Sequence, residues 1–404
     1  VKARASKFVA LLILLTSVSL LLTSCWSARE IDQLAFVAAM GIDREDDTIK
    51  LTVQIIVGGG GGGGGESDGA QAPVWITSST GNSLSEAVFN LNLVVSKTPF
   101  WSHSYVMIIG EDLAREGIAE VLEWMGRDRQ ARDTLLVAVT LGKAEDILKV
   151  EPKMTQLPAE YIETLLRLGA KTGYIPNGHL FRIRLAYANQ PGMQAMMPLI
   201  QPQPQEDTGG SSGVENPAAG IGESDEGEEQ KAESIELKGT AVFRDDRMVG
   251  TLDLRESRGV AWLTGQISDS LVTINRTEGQ ITQRADFTQV KYRLRKIDGN
   301  VKLEARVTQD GVLQSWPLRG VQSITPTILA QLEEDLAREI EGEVRAALAK
   351  LQGEFNADIA GLGERLRRLD SSLYRSLDWD KAFPTLQLAT EIEASFRRIG
   401  LTKE

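Results

Sequence analysis

The chain has 404 residues, enough for two or three domains, and at 42% hydrophobic and 25% charged it has the composition of a globular protein with real cores. A net charge of −12 argues against a nucleic-acid partner. The single cysteine, Cys25, excludes a disulfide framework and any cysteine-built metal cage.

Lys2, Arg4 and Lys7 form a basic start, and Phe8 to Leu22 an almost wholly apolar run. Its 15 residues are too few for a comfortable membrane span, which takes about 20, but they fit the h-region of a secretory signal peptide. Leu22-Thr23-Ser24-Cys25 then resembles a bacterial lipoprotein box. In such a box the signal, here residues 1–24, is cut away and the Cys25 thiolate carries a diacylglyceryl group. A leftover thiol in an exported protein is a liability, so lipidation is preferred over a free or buried cysteine.

Leu34 to Ile42 and the alternating, β-branched stretch Thr48 to Val57 predict two strands around a turn at Asp46-Asp47. Eight glycines follow, Gly58 to Gly65. Each loses much backbone entropy on ordering and buries no side chain, and the Lys-Ser/Thr of a phosphate loop is missing, so a flexible loop is expected. "APVWITSST" predicts a strand. Asn82 or Ser83 then caps a helix, with Glu86 in the capping-box position and Leu84, Val88, Leu91 and Val95 on one face. "SYVMIIG" reads as a buried strand and "DTLLVAVTLG" as another. Between them "EDLAREGIAEVLEWMGRD" predicts one helix with Leu113, Ile118, Val121, Leu122 and Met125 inward. This alternation predicts an α/β layer over 26–148. A further helix starts at Pro158 and is stopped by Gly173. The apolar patch "GMQAMMPLI" ends an N-terminal domain spanning 26–200, of which 149–200 opens a middle region.

Residues 201–233 hold nine acidic residues against one lysine, amid Pro, Gly and Ser, and predict a disordered acidic linker. A C-terminal domain is expected over 234–404, with 234–266 able to join the middle region instead. It opens with two strands around the Asp245-Asp246 turn and a short helix in "ESRGVAWLTGQI". "DSLVTINRT", "DFTQVKYRLRKIDGN" and "VKLEARVTQDG" predict antiparallel strands, with a hairpin at Asp298-Gly299. Thr325 and Pro326 then start a long helix. Its apolar stripe runs through Leu329, Leu332, Leu336, Ile340, Val344, Leu348 and Leu351 toward Leu369. A mean step of about 3.6 residues marks a straight helix packed on a sheet rather than a coiled coil. Gly361 and Gly363 are expected to break it, and "TLQLATEIEASFRR" predicts a closing strand. The expected fold is α+β to α/β and multidomain. An N-terminal mixed sheet with helices precedes a C-terminal antiparallel sheet packed against a long amphipathic helix.

Chemistry is sparse. His103 and His179 are the only histidines, and each reads as structural or surface rather than as a ligand. Asp46-Asp47 and Asp245-Asp246 sit at expected turns, where Asp bonds the local backbone. G-x-S-x-G, HExxH and EF-hand patterns are all missing. No catalytic, metal or cofactor residue is predicted, and the only site residue is the lipidation candidate Cys25.

Four blocks together resemble the Ger(x)C family, the lipoprotein C subunits of spore-germination nutrient receptors. They are Cys25-Trp26 with Arg29-Glu30-Ile31, Leu34-Ala35 and Gly41-Ile42-Asp43; the Gly-rich insertion followed by "PVWITSSTG"; "GTAVFRDDRMVGTLDLRESRGVAWLTG"; and "LQGEFNADIAGLGERLRR" with "WDKAFPTLQLATEIEASFRRIG". The third, residues 239–265, is the most specific. Where the family often has an aromatic and a histidine, this chain has Leu362 and Arg367. The resemblance implies a non-enzymatic protein, lipid-anchored on the outer face of the inner spore membrane. Its implied partners are the membrane-embedded A and B subunits of the germinant receptor and the bilayer itself. A lipoprotein solute-binding protein of a transporter is the alternative, and would need two similar lobes around a cleft. A surface hydrolase would need a nucleophile and base that the sequence does not show.

Overall fold

The computed structural model describes residues 8, 10–13, 15–17, 30–57, 74–128, 130–152, 155, 157–203, 234–277, 279–297, 300–316 and 325–398. Cys25, the Gly58–Gly65 run, the acidic stretch from 204 to 233 and the Asp298-Gly299 turn lie outside them. In the apolar run the described residues are helical, and Phe8, Leu11, Leu12, Ile13 and Leu15 are exposed. No helix among the described residues is long and apolar enough to cross a membrane.

The described strands form two sheets. The larger has nine: β1 (Leu34–Glu45), β2 (Thr48–Ile56), β3 (Val74–Gly81), β4 (Thr98–Phe100), β5 (Val106–Ile109), β6 (Leu136–Thr140), β7 (Met196–Gln203), β8 (Ser234–Arg244) and β9 (Arg247–Leu252). Their order is β3-β2-β1-β5-β6-β7-β8-β9, with β4 also beside β1. The pairs β1–β2, β2–β3, β7–β8 and β8–β9 are antiparallel, whereas β1, β5, β6 and β7 run parallel. The sheet is therefore mixed. β5 and β6 are buried along their whole length, and such doubly covered strands are continuous apolar runs rather than alternating ones.

Helices cover both faces. On one lie α1 (Leu84–Leu91), α2 (Glu111–Glu116), α3 (Ala119–Arg127) and α6 (Leu180–Ala188), packed around Met40, Ile42, Leu51, Met107 and Ile109. On the other, α4 (Ala144–Leu148) and α5 (Pro158–Thr172) pack on Ala38, Val106, Ile108 and Ala138. Local signals account for several ends. The Ser83 side chain accepts the Glu86 N–H, while the Glu86 carboxylate takes the Asn82 N–H at 2.8 Å. Pro158 opens α5, and Gly173, at φ 78, closes it. Asp46 and Asp245 take the positive φ that their tight hairpins need.

The second sheet runs β10 (Ser270–Arg276), β11 (Gly279–Ile297), β12 (Asn300–Ser315), β13 (Leu388–Arg398). β10, β11 and β12 are antiparallel, and β13 joins β12 in parallel. The helices α7 (Leu254–Thr264) and α8 (Pro326–Lys350) pack beside it. α8 buries Leu332, Leu336, Ile340, Val344 and Ala347 in one core with Leu303, Ala305 and Trp262. Each of the Leu, Ile and Val side chains contributes about 1.5–3 kcal/mol through burial.

Two expectations change. The single helix over 111–128 is two, because Gly117 turns to φ 143 and the Ile118 N–H leaves the helix for the Asp246 carbonyl. The long C-terminal helix breaks earlier than Gly361: a wide turn at Leu351–Phe355 ends at Asn356, which has φ 46. Gly361 instead precedes α9 (Leu362–Leu369), and Gly363 lies inside it. Two short helices, α10 (Ser371–Ser376) and α11 (Trp379–Ala382), lead on to β13.

Candidate functional site at the joint between the two sheets

The two histidines stand apart. His103 is exposed beside Phe36 and Phe100, with ring centroids 5.9 and 5.5 Å away. His179 precedes α6, where its Nδ1 lies 3.0 Å from the Thr134 carbonyl and its ring stacks on Phe181. Both contacts are those of packing residues. Among the described residues no cluster of three His, Cys, Asp or Glu could hold a metal ion.

Among the described residues most buried charges gather where the sheets meet; Asp43, which accepts the Ala144 and Glu145 N–H groups at the start of α4, is the exception. α7 begins at Asp253, whose carboxylate accepts the Glu256 N–H while Glu256 accepts the Asp253 N–H. One turn later Arg258 faces α8. Its Nε donates to Glu343 Oε2 at 2.8 Å and a terminal nitrogen donates to Glu343 Oε1. The other donates to the Leu271 carbonyl at 2.7 Å and the Tyr174 hydroxyl at 3.2 Å. Trp262 Nε1 donates to Glu343 Oε2 at 2.7 Å. Burial pulls the Arg258 pKa down, but the Glu343 carboxylate more than offsets it and holds the guanidinium above its ordinary value. Gly259 allows this approach: a Cβ there would lie 2.2 Å from the Glu343 carbonyl oxygen. Sequence reasoning missed Glu343, although Leu336, Ile340, Glu343 and Ala347 fall on one helical face.

A second joint forms around Asp358, between α8 and α9. Its carboxylate accepts the Leu362 and Gly363 N–H groups at 2.9 and 2.7 Å and Trp379 Nε1 at 3.2 Å. Burial pushes this carboxyl up to about 6, against the pull of those three donors. Backbone hydrogen bonds reach from here to the loop before β7 of the other sheet, with Gln194 N–H donating to the Asp358 carbonyl and Glu364 N–H to the Gly192 carbonyl, both at 2.9 Å. Gln194 also accepts the Asp245 N–H at 2.8 Å, tying in the β8–β9 turn. The Gln190–Pro191 peptide, just ahead, is cis.

Between α6 and α9 lies a cleft of about 340 Å³, lined in part by Phe181, Leu185, Met193, Arg182 and Arg365. Its cations are engaged. Arg365 lies 5.4 Å over the Tyr292 ring, Arg182 lies 5.5 Å over Phe181, and Arg368 pairs with Glu364. Such an arrangement can recognise and hold a surface; it offers no positioned nucleophile and base.

Two family models match the chain: a spore germination protein N-terminal domain over residues 27–202, and a spore germination B3/GerAC-like C-terminal domain over 238–400. Curated relatives include spore germination protein KC of Bacillus subtilis (strain 168), 27% identical over 97% of this chain and 95% of that protein. Spore germination protein B3 of the same organism is 24% identical over 98% of each. The crystal structure of the GerBC protein matches with a TM-score of 0.55 and 17% identity, over 91% of this chain and all of that one. The mixed sheet with its helices, and the separate sheet with its long helix, are thus a fold this chain shares with GerBC. The chain belongs to the Ger(x)C family of spore germination proteins.

Proposed function

We propose that this protein is the lipid-anchored, non-enzymatic C subunit of a spore germinant receptor, needed for nutrients to trigger germination. The observation that carries this reading is the match of both family models, in order, along almost the whole chain. Cys25 bears the diacylglyceryl anchor and holds the folded part on the outer face of the inner spore membrane, beside the membrane-embedded A and B subunits. The tether raises its concentration near those partners. The joint supports a structural role, because Arg258 and Glu343 are already paired with each other and Asp358 already accepts N–H donors from its own surroundings.

A solute-binding lipoprotein is disfavoured by the unlike sheets, one of nine strands and one of four. Cys25→Ala tests the anchor: the variant leaves the membrane fraction or stays uncleaved, and full processing with full membrane retention would reject it. Crosslinking in spore membranes tests the assembly, with the A and B subunits expected among the captured partners.

A further inference from the structure

We infer that the end of the large sheet where β1 begins rests on the phospholipid bilayer, with Ile31, Val57 and Trp75 at headgroup level. The inference rests on Cys25 being the lipid anchor, and adds which end of the molecule faces the membrane.

Strand register places these residues together. Val37 pairs with Ile55 and Ile55 with Trp75, so Trp75 is level with Val37, and Val57, two residues past Ile55, lies nearer still to the start of β1. Ile31 sits in the single turn just before β1. Their exposures are 73% for Ile31, 44% for Val57 and 40% for Trp75. Phe36 pairs with Phe100 at the same level, and the exposed His103 ring packs against both. Single exposed apolar residues are ordinary on a protein surface. These are set apart by sharing one level with an aromatic cluster, and by their distance from the anchor.

That distance is short. Ile31 is the sixth residue after Cys25, and an extended chain covers about 20 Å in six steps. The opposite end of β1, 12 residues on, lies about 40 Å further away. It carries Glu45, Asp46 and Asp47, which suit water. Glu30 and Asp32 flank Ile31 and are exposed, so the contact is shallow. Tryptophan favours this interfacial depth, with its ring apolar and its N–H free to bond. The tether makes even a weak contact count, since the surface is never far away.

The test uses the full lipidated chain, purified and reconstituted in phosphatidylcholine–phosphatidylglycerol vesicles that contain nitroxide-labelled lipid. Ile31→Cys, Val57→Cys and Trp75→Cys are each labelled with bimane, and Asp47→Cys marks the far end of β1. Several-fold stronger quenching at 31, 57 and 75 than at 47 is expected. Equal quenching at all four positions would overturn the orientation while leaving the anchor intact. The parent chain is the control for the anchor itself. If it takes up bimane and fails to float with the vesicles, Cys25 is free and the reason to place this end on lipid goes with it.

Discussion

Gly192 and Gly363 touch backbone to backbone across the joint: a Cβ built on Gly363 would lie 2.7 Å from the Gly192 Cα and 2.6 Å from the Trp379 ring. The loop of one sheet and the helix beside the other meet with no side chain between them. This closeness lets the Glu364 N–H reach the Gly192 carbonyl at 2.9 Å.

Gly363→Ala is therefore expected to destabilise the chain by about 1–3 kcal/mol, the usual cost of overpacking a filled site. Gly353→Ala is the control, because a Cβ there meets nothing within 4 Å. Thermal melts of the two purified variants decide it. Equal melting temperatures would mean that the joint yields without strain.

Arg258→Met leaves the Glu343 carboxylate buried without its cation, at an expected cost of about 3–5 kcal/mol. Adding Glu343→Leu removes the stranded charge and recovers part of that loss. Full recovery is not expected, since Trp262 Nε1 then lacks its acceptor, at about 1–3 kcal/mol. Denaturant titrations of both single variants and the double variant measure the coupling. Strict additivity would show that the pair contributes nothing jointly.

Asp358 gives a pH dependence with a definite sign. Its carboxyl rises from 3.8 to about 6 in the folded chain, so between those values the folded state binds the proton more tightly than the unfolded one. Its contribution is most favourable below about pH 4 and is lost as pH rises through about 6, a change of roughly 3 kcal/mol. Asp43 is also raised by burial and adds a slope of the same sign. The comparison that isolates Asp358 is the parent chain against Asp358→Asn, melted at intervals from pH 4 to pH 8. The variant is expected to lose much of the fall in stability across that window. Parallel curves would show that Asp358 does not titrate there.

Local chemistry announced much of the fold. Ser83, Pro158, Gly173 and the two Asp-Asp turns mark element ends by bonds within a few residues, and such signals survive in the sequence. The α8 stripe was equally plain, because one face meets one sheet. α6 went unseen, since "LFRIRLAYA" puts apolar residues on its outer face too, with Phe181 and Leu185 exposed. β7 was hidden by Pro198, which cannot donate to a neighbouring strand. The structure tolerates it because β6 pairs with β7 only at Leu199 and Ile200. The break at Gly117 depends on Asp246, more than a hundred residues away, and no local pattern encodes it. The same holds for the joint. Arg258 and Glu343 each look like an ordinary surface charge until the fold pairs them.

The parallel seating of β13 against β12 also sets an order of assembly. Residues 316–387 separate the two strands, so the ribosome has made α8, α9 and both short helices before the strand that completes the sheet emerges. Until then one long side of β12 has no neighbour, and an open strand edge invites pairing with other chains. A chain ending just ahead of Leu388 would keep that edge open for good, despite lacking only a small fraction of the protein.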